Sequence, residues 1–198
     1  MNDIRICFIG DSFTQGTGDE LYLGWPGRVC ASARARGHAV TSYNLGIRRE
    51  TTTDIRARWR AEVTPRLVAG VDGRIVFSFG ANDATIEDDQ WRVPAALSVE
   101  NLRAMLARAT LSHSVLVVGP PPAPEPDRTE RHAELASRYA QACAAFGVPF
   151  LDVLEPLKSA EGWWEEVAAG DGIHPGRRGY DALAALVEAW PAWRAWLP

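Results

Sequence analysis

At 198 residues, with 46% hydrophobic and 23% charged positions, the chain has the size and composition of one globular domain, residues 1–198, able to bury a sizeable core. Twenty-one Lys and Arg against 25 Asp and Glu leave a net charge of −4, which excludes the basic footprint of a nucleic-acid binder. No segment approaches the roughly 18 uninterrupted apolar residues of a membrane span, and Met1-Asn2-Asp3-Ile4-Arg5 lacks the pattern of a signal peptide, so a cytoplasmic protein is expected. Cys7, Cys30 and Cys143 are odd in number and widely spaced, so neither a disulfide framework nor a thiolate metal site is expected.

The first apolar run, Ile4 to Ile9, reads as a strand buried on both faces, and it ends in Gly10-Asp11-Ser12. Further strand-like runs follow at Val40 to Leu45, Arg74 to Phe79, Val115 to Val118 and Val148 to Val153. Helical stripes lie between and after them. Leu102, Met105, Leu106 and Ala109 form one, Leu135, Tyr139, Ala142 and Phe146 a second, and Tyr180, Leu183, Val187 and Trp190 a third. Asp127-Arg128-Thr129-Glu130 has the form of a capping box opening the second. Arg56, Arg58 and Arg60, diluted by Asp54 and Glu62, read as a solvated helix face. The stretch from Pro120 to Pro126 reads as a stiff loop at the rim of a site.

Strand and helix alternating five times predict an α/β fold: a flavodoxin-like, three-layer α/β/α sandwich whose five-stranded parallel sheet has the order 2-1-3-4-5. In such sheets ligands bind beyond the carboxyl ends of the strands, near the switch point between strands 1 and 3. The polar residues at those ends are Asp11-Ser12, Asn44-Leu45-Gly46 and Gly80-Ala81-Asn82-Asp83; a later loop adds Asp171-Gly172-Ile173-His174-Pro175. Taken singly each is an ordinary turn, glycine or loop histidine.

Together they supply what acyl transfer by serine requires. Ser12 offers a hydroxyl on a sharp turn. His174, with an ordinary pKa of about 6.5, can take and return its proton. Asp171, three residues earlier, can orient the imidazole and stabilise its protonated form. The N–H of Ser12, the Gly46 backbone and the Asn82 amide are candidate oxyanion donors, each donor typically worth about 10²–10³ in kcat. His38, His113 and His132 read as exposed structural residues.

These four ordered blocks, Ser12 in Gly10-Asp11-Ser12, Gly46 after Asn44-Leu45, Asn82 in Gly80-Ala81-Asn82-Asp83 and His174 in Asp171-Gly172-Ile173-His174-Pro175, resemble those of the SGNH hydrolase superfamily, the GDSL esterases and lipases. The resemblance runs from residue 4 to about 190. It implies a cofactor- and metal-independent ester hydrolase with Ser12, His174 and Asp171 as triad and Ser12, Gly46 and Asn82 as oxyanion hole. The chain departs from the name-giving motif at Phe13, where the family has Leu; this position is expected behind the nucleophile.

The expected substrate is a small-molecule ester with a short, acetyl-like acyl group, because no long insertion is available as a lid. Trp25, Trp91 and Ile173 are candidate substrate contacts, with Trp163 and Trp164 also near loops, while Trp190, Trp193 and Trp196 suggest packing or a homodimer contact. Two rivals use the same residues differently. An acyltransferase would pass the acyl group to an alcohol, and a non-catalytic nucleotide- or flavin-binding domain would cradle a phosphate with Ser12, Thr14, Gly16, Thr17 and Gly18.

Overall fold

The computed structural model describes residues 3–197. Its central sheet is fully parallel and is built from β1 (Ile4–Gly10), β2 (Val40–Gly46), β3 (Asp72–Ser78), β6 (Ser114–Val118) and β7 (Phe150–Leu151). The spatial order is β2-β1-β3-β6-β7, which is the predicted 2-1-3-4-5 once a short antiparallel hairpin, β4 (Ile86–Glu87) with β5 (Gln90–Trp91), is set aside.

Successive residues of a strand point to opposite faces, and β1 buries both. Ile6 and Phe8 join Val76, Leu116 and Val118 on one side, against α2 (Gly24–Ala35), α8 (Arg177–Ala189) and α9 (Pro191–Trp196). Cys7 and Ile9 join Ile75, Phe77, Val115 and Val117 on the other, against α3 (Thr52–Val63), α4 (Ala95–Ala109) and α5 (Pro126–Ala145). Each fully buried side chain of this kind contributes about 1.5–3 kcal/mol. Leu102, Met105, Leu106 and Ala109 of α4 are all buried, as are Tyr180, Leu183 and Val187 of α8, so the helical stripes face the sheet as predicted. All three cysteines are free and buried.

Two local expectations are corrected. The fifth strand shrinks from Val148–Val153 to Phe150–Leu151: Pro149 has no N–H for the ladder, and Asp152 Oδ1 accepts the Leu154 N–H at 3.0 Å, turning the chain into α6 (Leu154–Lys158). Asp127 is not a cap, because α5 already begins at Pro126, whose fixed φ suits a first helical position. Thr129 instead donates to the Ala123 carbonyl at 2.7 Å and accepts its N–H at 2.9 Å, clamping the proline-rich loop. The capping box in this fold opens α3, where Thr51 and Asp54 satisfy each other's backbone N–H groups.

Trp25, Trp163 and Trp193 are fully buried in the first core, Trp25 edge-on to Phe8 at 5.3 Å. Trp196 stacks near Trp193 at 6.1 Å and lies under the Arg74 guanidinium. Intrachain packing therefore accounts for Trp193 and covers part of Trp196. Among the described residues no helix is long and apolar enough to cross a membrane.

Candidate active site

Parallel register brings Gly10, Gly46 and Ser78 level at the carboxyl edge of three adjacent strands. A Cβ on Gly10 would lie 1.9 Å from the Ser78 carbonyl oxygen and 2.2 Å from Thr14 Oγ1, so only glycine fits. Asp11 then caps a single helical turn, α1 (Ser12–Gln15), with Oδ1 accepting the Phe13 N–H at 3.0 Å. Burial pushes the Asp11 carboxyl up to about 7. Ser12 sits at the first position of the turn, where its own N–H has no intrahelical acceptor. Thr14 Oγ1 donates inward to the Ser78 carbonyl at 3.0 Å, which removes it from any phosphate cradle.

The loop between α7 (Trp163–Ala169) and α8 carries the partner groups. Asp171 Oδ1 accepts the backbone N–H of Ile173 at 3.0 Å and of His174 at 2.9 Å. That leaves Oδ2 for His174 Nδ1 at 2.8 Å, and His174 Nε2 lies 2.8 Å from Ser12 Oγ. With a carboxylate facing Nδ1, the proton resides there and Nε2 is the acceptor for the serine hydroxyl. Burial pushes the Asp171 pKa up, but the His174 and Ile173 N–H groups and the His174 ring outweigh it and bring the carboxyl down to about 2. His174 is held below its ordinary 6.5: desolvation lowers it, the bond to Asp171 opposes, and the charges of Arg48 and Arg128 lower it again. Phe13 is not simply behind the serine. Its ring packs on the imidazole, centroids 4.9 Å apart, and it lines the cleft.

Asn82 faces the same cleft from the loop after β3, one amide hydrogen fixed on the Glu50 carbonyl at 2.9 Å and the other free to donate. Gly46 is placed differently from expectation. Its N–H donates to Asn44 Oδ1 at 3.0 Å, and it packs so closely on α1 that a Cβ would meet Gln15 N at 2.2 Å. Arg58 is likewise no solvated residue: Nη2 donates to the carbonyls of Gly10 (3.2 Å) and Leu45 (2.9 Å), and Nε pairs with Glu50 at 2.6 Å. One guanidinium thus braces the ends of β1 and β2 and the residue whose carbonyl orients Asn82. Beneath it, Asp83 accepts the Thr52 N–H at 2.8 Å, a second brace that reading Asn82-Asp83 as a turn does not reveal.

The cleft measures about 280 Å³; Ser12, Phe13, Asn82, Thr85, Ile173 and His174 all line it. Ile173, 36% exposed, is therefore the one predicted substrate contact that reaches the site. Trp25 cannot, being sealed in the core, and Trp163 is sealed with it. Trp91 lines a separate groove with Gln90 and Pro94, and Trp164 another with Lys158, because the hairpin and α7 turn these rings away from the serine. The proline loop does not reach the rim either; Arg128, just past it, does. His132 is buried rather than exposed, its Nδ1 2.7 Å from the Pro121 carbonyl and its pKa lowered by burial to about 4. His38 and His113 are partly exposed and do not line this cavity.

Among the described residues no cluster of His, Cys, Asp and Glu is arranged to hold a metal ion. The geometry offers a hydroxyl, a neutral imidazole, an orienting carboxylate and backbone and amide donors around one small cavity, the set that nucleophilic acyl transfer uses. The model of the GDSL-like lipase/acylhydrolase family matches residues 8–182. Among solved structures, the lipase/acylhydrolase from Enterococcus faecalis is similar at 31% identity, with 93% of each chain covered and a TM-score of 0.77. Axe2, an acetylxylan esterase from Geobacillus stearothermophilus, shares the fold at 20% identity and a TM-score of 0.70, over 93% of this chain and 92% of its own. No curated protein matches the chain in sequence. A family match over most of its length, on a sheet and strand-end arrangement of this kind, means that the chain belongs to the GDSL-like lipase/acylhydrolase family of carboxylic ester hydrolases.

Proposed function

We propose that this protein cleaves short-chain, acetyl-like carboxylic esters through an acyl-enzyme formed on Ser12. The observation that carries the proposal is the unbroken hydrogen-bond chain from Asp171 Oδ2 through the His174 ring to Ser12 Oγ, both links 2.8 Å. Ser12 attacks the ester carbonyl as Nε2 takes its proton; Asp171 holds the resulting imidazolium; the alcohol leaves with the proton from Nε2. Water then repeats the cycle on the acyl-enzyme and releases the acid. Ser12 N–H and the free Asn82 amide hydrogen are the donors for the oxyanion, and Gly46 N–H joins them only by exchanging Asn44 Oδ1 for it.

A cavity of about 280 Å³ holds a small acyl group far better than a lipid chain. The experiment is a panel of p-nitrophenyl esters from acetate to dodecanoate. kcat/KM is expected to be highest at two to four carbons, about tenfold or more above the long esters, and a maximum beyond roughly ten carbons would overturn the short-chain assignment.

The same geometry sets the pH profile. Only neutral His174 can accept the serine proton, so kcat/KM falls as pH drops through the pKa of the free enzyme. Desolvation lowers that pKa and the guanidinium charges add to the lowering, so the acid limb of kcat/KM is expected to have its midpoint below pH 6.5. A midpoint above 7 in kcat/KM would show that the base is some other group.

A further inference from the structure

The cleft is far more basic than the chain. Against a net charge of −4 overall, its walls carry Arg48, Arg49, Arg92 and Arg128 with Glu87 as the one carboxylate among its lining residues. Two of the arginines are compensated: Arg92 pairs with Glu87 at 3.3 Å, and Arg48 reaches Asp171 at 3.3 Å. Arg49 and Arg128 have no carboxylate within 4 Å among the described residues.

Arg128 is the informative one. It is half-buried, so its charge has lost part of its water, and desolvation accordingly lowers its pKa, with Arg131 and Arg92 adding repulsion and Glu125 and Asp11 only partial relief. It also stands in the first turn of the twenty-residue α5, where the helix dipole disfavours a cation. Its Nη2 donates to the Ala81 carbonyl at 3.3 Å and Thr85 Oγ1 at 3.0 Å, which holds that end of the guanidinium, while among the described residues Nη1 makes no hydrogen bond and the buried Nε has no partner. A cation that is desolvated, unpaired, set against a helix dipole and yet rigidly aimed into the wall of a reaction cleft is stabilised by one kind of ligand, an anion.

We propose that the ester taken by this cleft carries an anionic oxygen group, such as a carboxylate, which seats on Arg128 with Arg49 adding to the attraction. This rests on the ester-hydrolase reading and narrows its substrate class from any short-chain ester to a charged one. The guanidinium serves in binding and not in the bond-breaking step. Its hold on the Ala81 carbonyl, one residue before Asn82, gives it a competing role as a brace for that loop, and the test must separate the two.

The test uses isosteric pairs that differ only in charge: 3-carboxyphenyl acetate against 3-carbamoylphenyl acetate, with the charge on the alcohol, and phenyl hydrogen glutarate against phenyl glutaramate, with the charge on the acyl group. Rates are corrected for spontaneous hydrolysis. Wild type is expected to favour the carboxylate of at least one pair by about tenfold or more in kcat/KM, a preference that shrinks as salt is raised. Arg128→Met is expected to bring that ratio to within about twofold of one, and Arg128→Lys to keep part of it. A wild-type ratio at or below one in both pairs would overturn the inference. So would an Arg128→Met enzyme that loses rate equally on both members and keeps the ratio, the signature of a brace. If all four esters are inert, with Ser12→Ala indistinguishable from wild type, the hydrolase reading itself has failed and the inference falls with it.

Discussion

Ser12→Ala is expected to lower kcat on p-nitrophenyl acetate by about 10⁶-fold, to a residue of activity roughly 10³-fold above water that the donors and the binding cleft supply unaided. The size of the loss follows from the geometry. His174 Nε2 has one acceptor-side partner, the Ser12 hydroxyl at 2.8 Å, so deleting that oxygen leaves the base with nothing to activate except a loosely placed water. The same substitution should abolish labelling by a fluorophosphonate, read as the loss of the mass adduct on the peptide spanning residue 12. Because the side chain is small and the turn is fixed by Asp11 and Gly10 rather than by the hydroxyl, the folded state should survive intact. A variant that keeps more than about one hundredth of the wild-type kcat would remove Ser12 from the mechanism.

Asp171→Asn is expected to cost about 10⁴-fold in kcat, and here the hydrogen bonds specify why. Position 171 already receives two backbone N–H groups on Oδ1, from Ile173 and His174. An asparagine must keep its carbonyl oxygen there, so its NH₂ replaces Oδ2 and points at His174 Nδ1. The imidazole then accepts at Nδ1 and carries its proton at Nε2, the wrong tautomer to receive one from Ser12. KM should change little, since Asp171 does not line the cleft. Nitrogen-15 NMR of the histidine ring would report the tautomer directly; a variant with Nδ1 still protonated, or with kcat within about tenfold of wild type, would contradict the account.

The sheet was legible because burial on both faces erases polar alternation, so Ile4 to Ile9 and Val115 to Val118 read as strands without help from neighbours. The positions of Ser12 and Asn82 were legible for a related reason, because strand-end residues in a parallel sheet converge on one edge, while His174 stands out by the carboxylate three residues before it. What sequence could not disclose were directions. Trp25 is a loop-adjacent aromatic on paper, yet helix α2 turns it into the core; Arg58 sits in a run of charge, yet its helix face points it at the carbonyls of Gly10 and Leu45. Asn44 reads in sequence as a flank of Gly46, yet its side chain accepts the Gly46 N–H. His132 reads as exposed in the first turn of a helix, yet α5 presents it to the Pro121 carbonyl and buries it. The four arginines of the cleft come from three separate stretches of chain, and only the folded arrangement shows that they share a wall.

The bond between Ser12 Oγ and His174 Nε2 joins residues 162 positions apart. Synthesis runs from the amino end, so Ser12 and Asn82 emerge well before His174. On the proposed mechanism a nascent chain that still lacks residue 174 has no base for the serine proton. On that mechanism turnover reports a long-range contact rather than local structure: the reacting pair exists only when the end of the first strand and the loop before α8 have found each other.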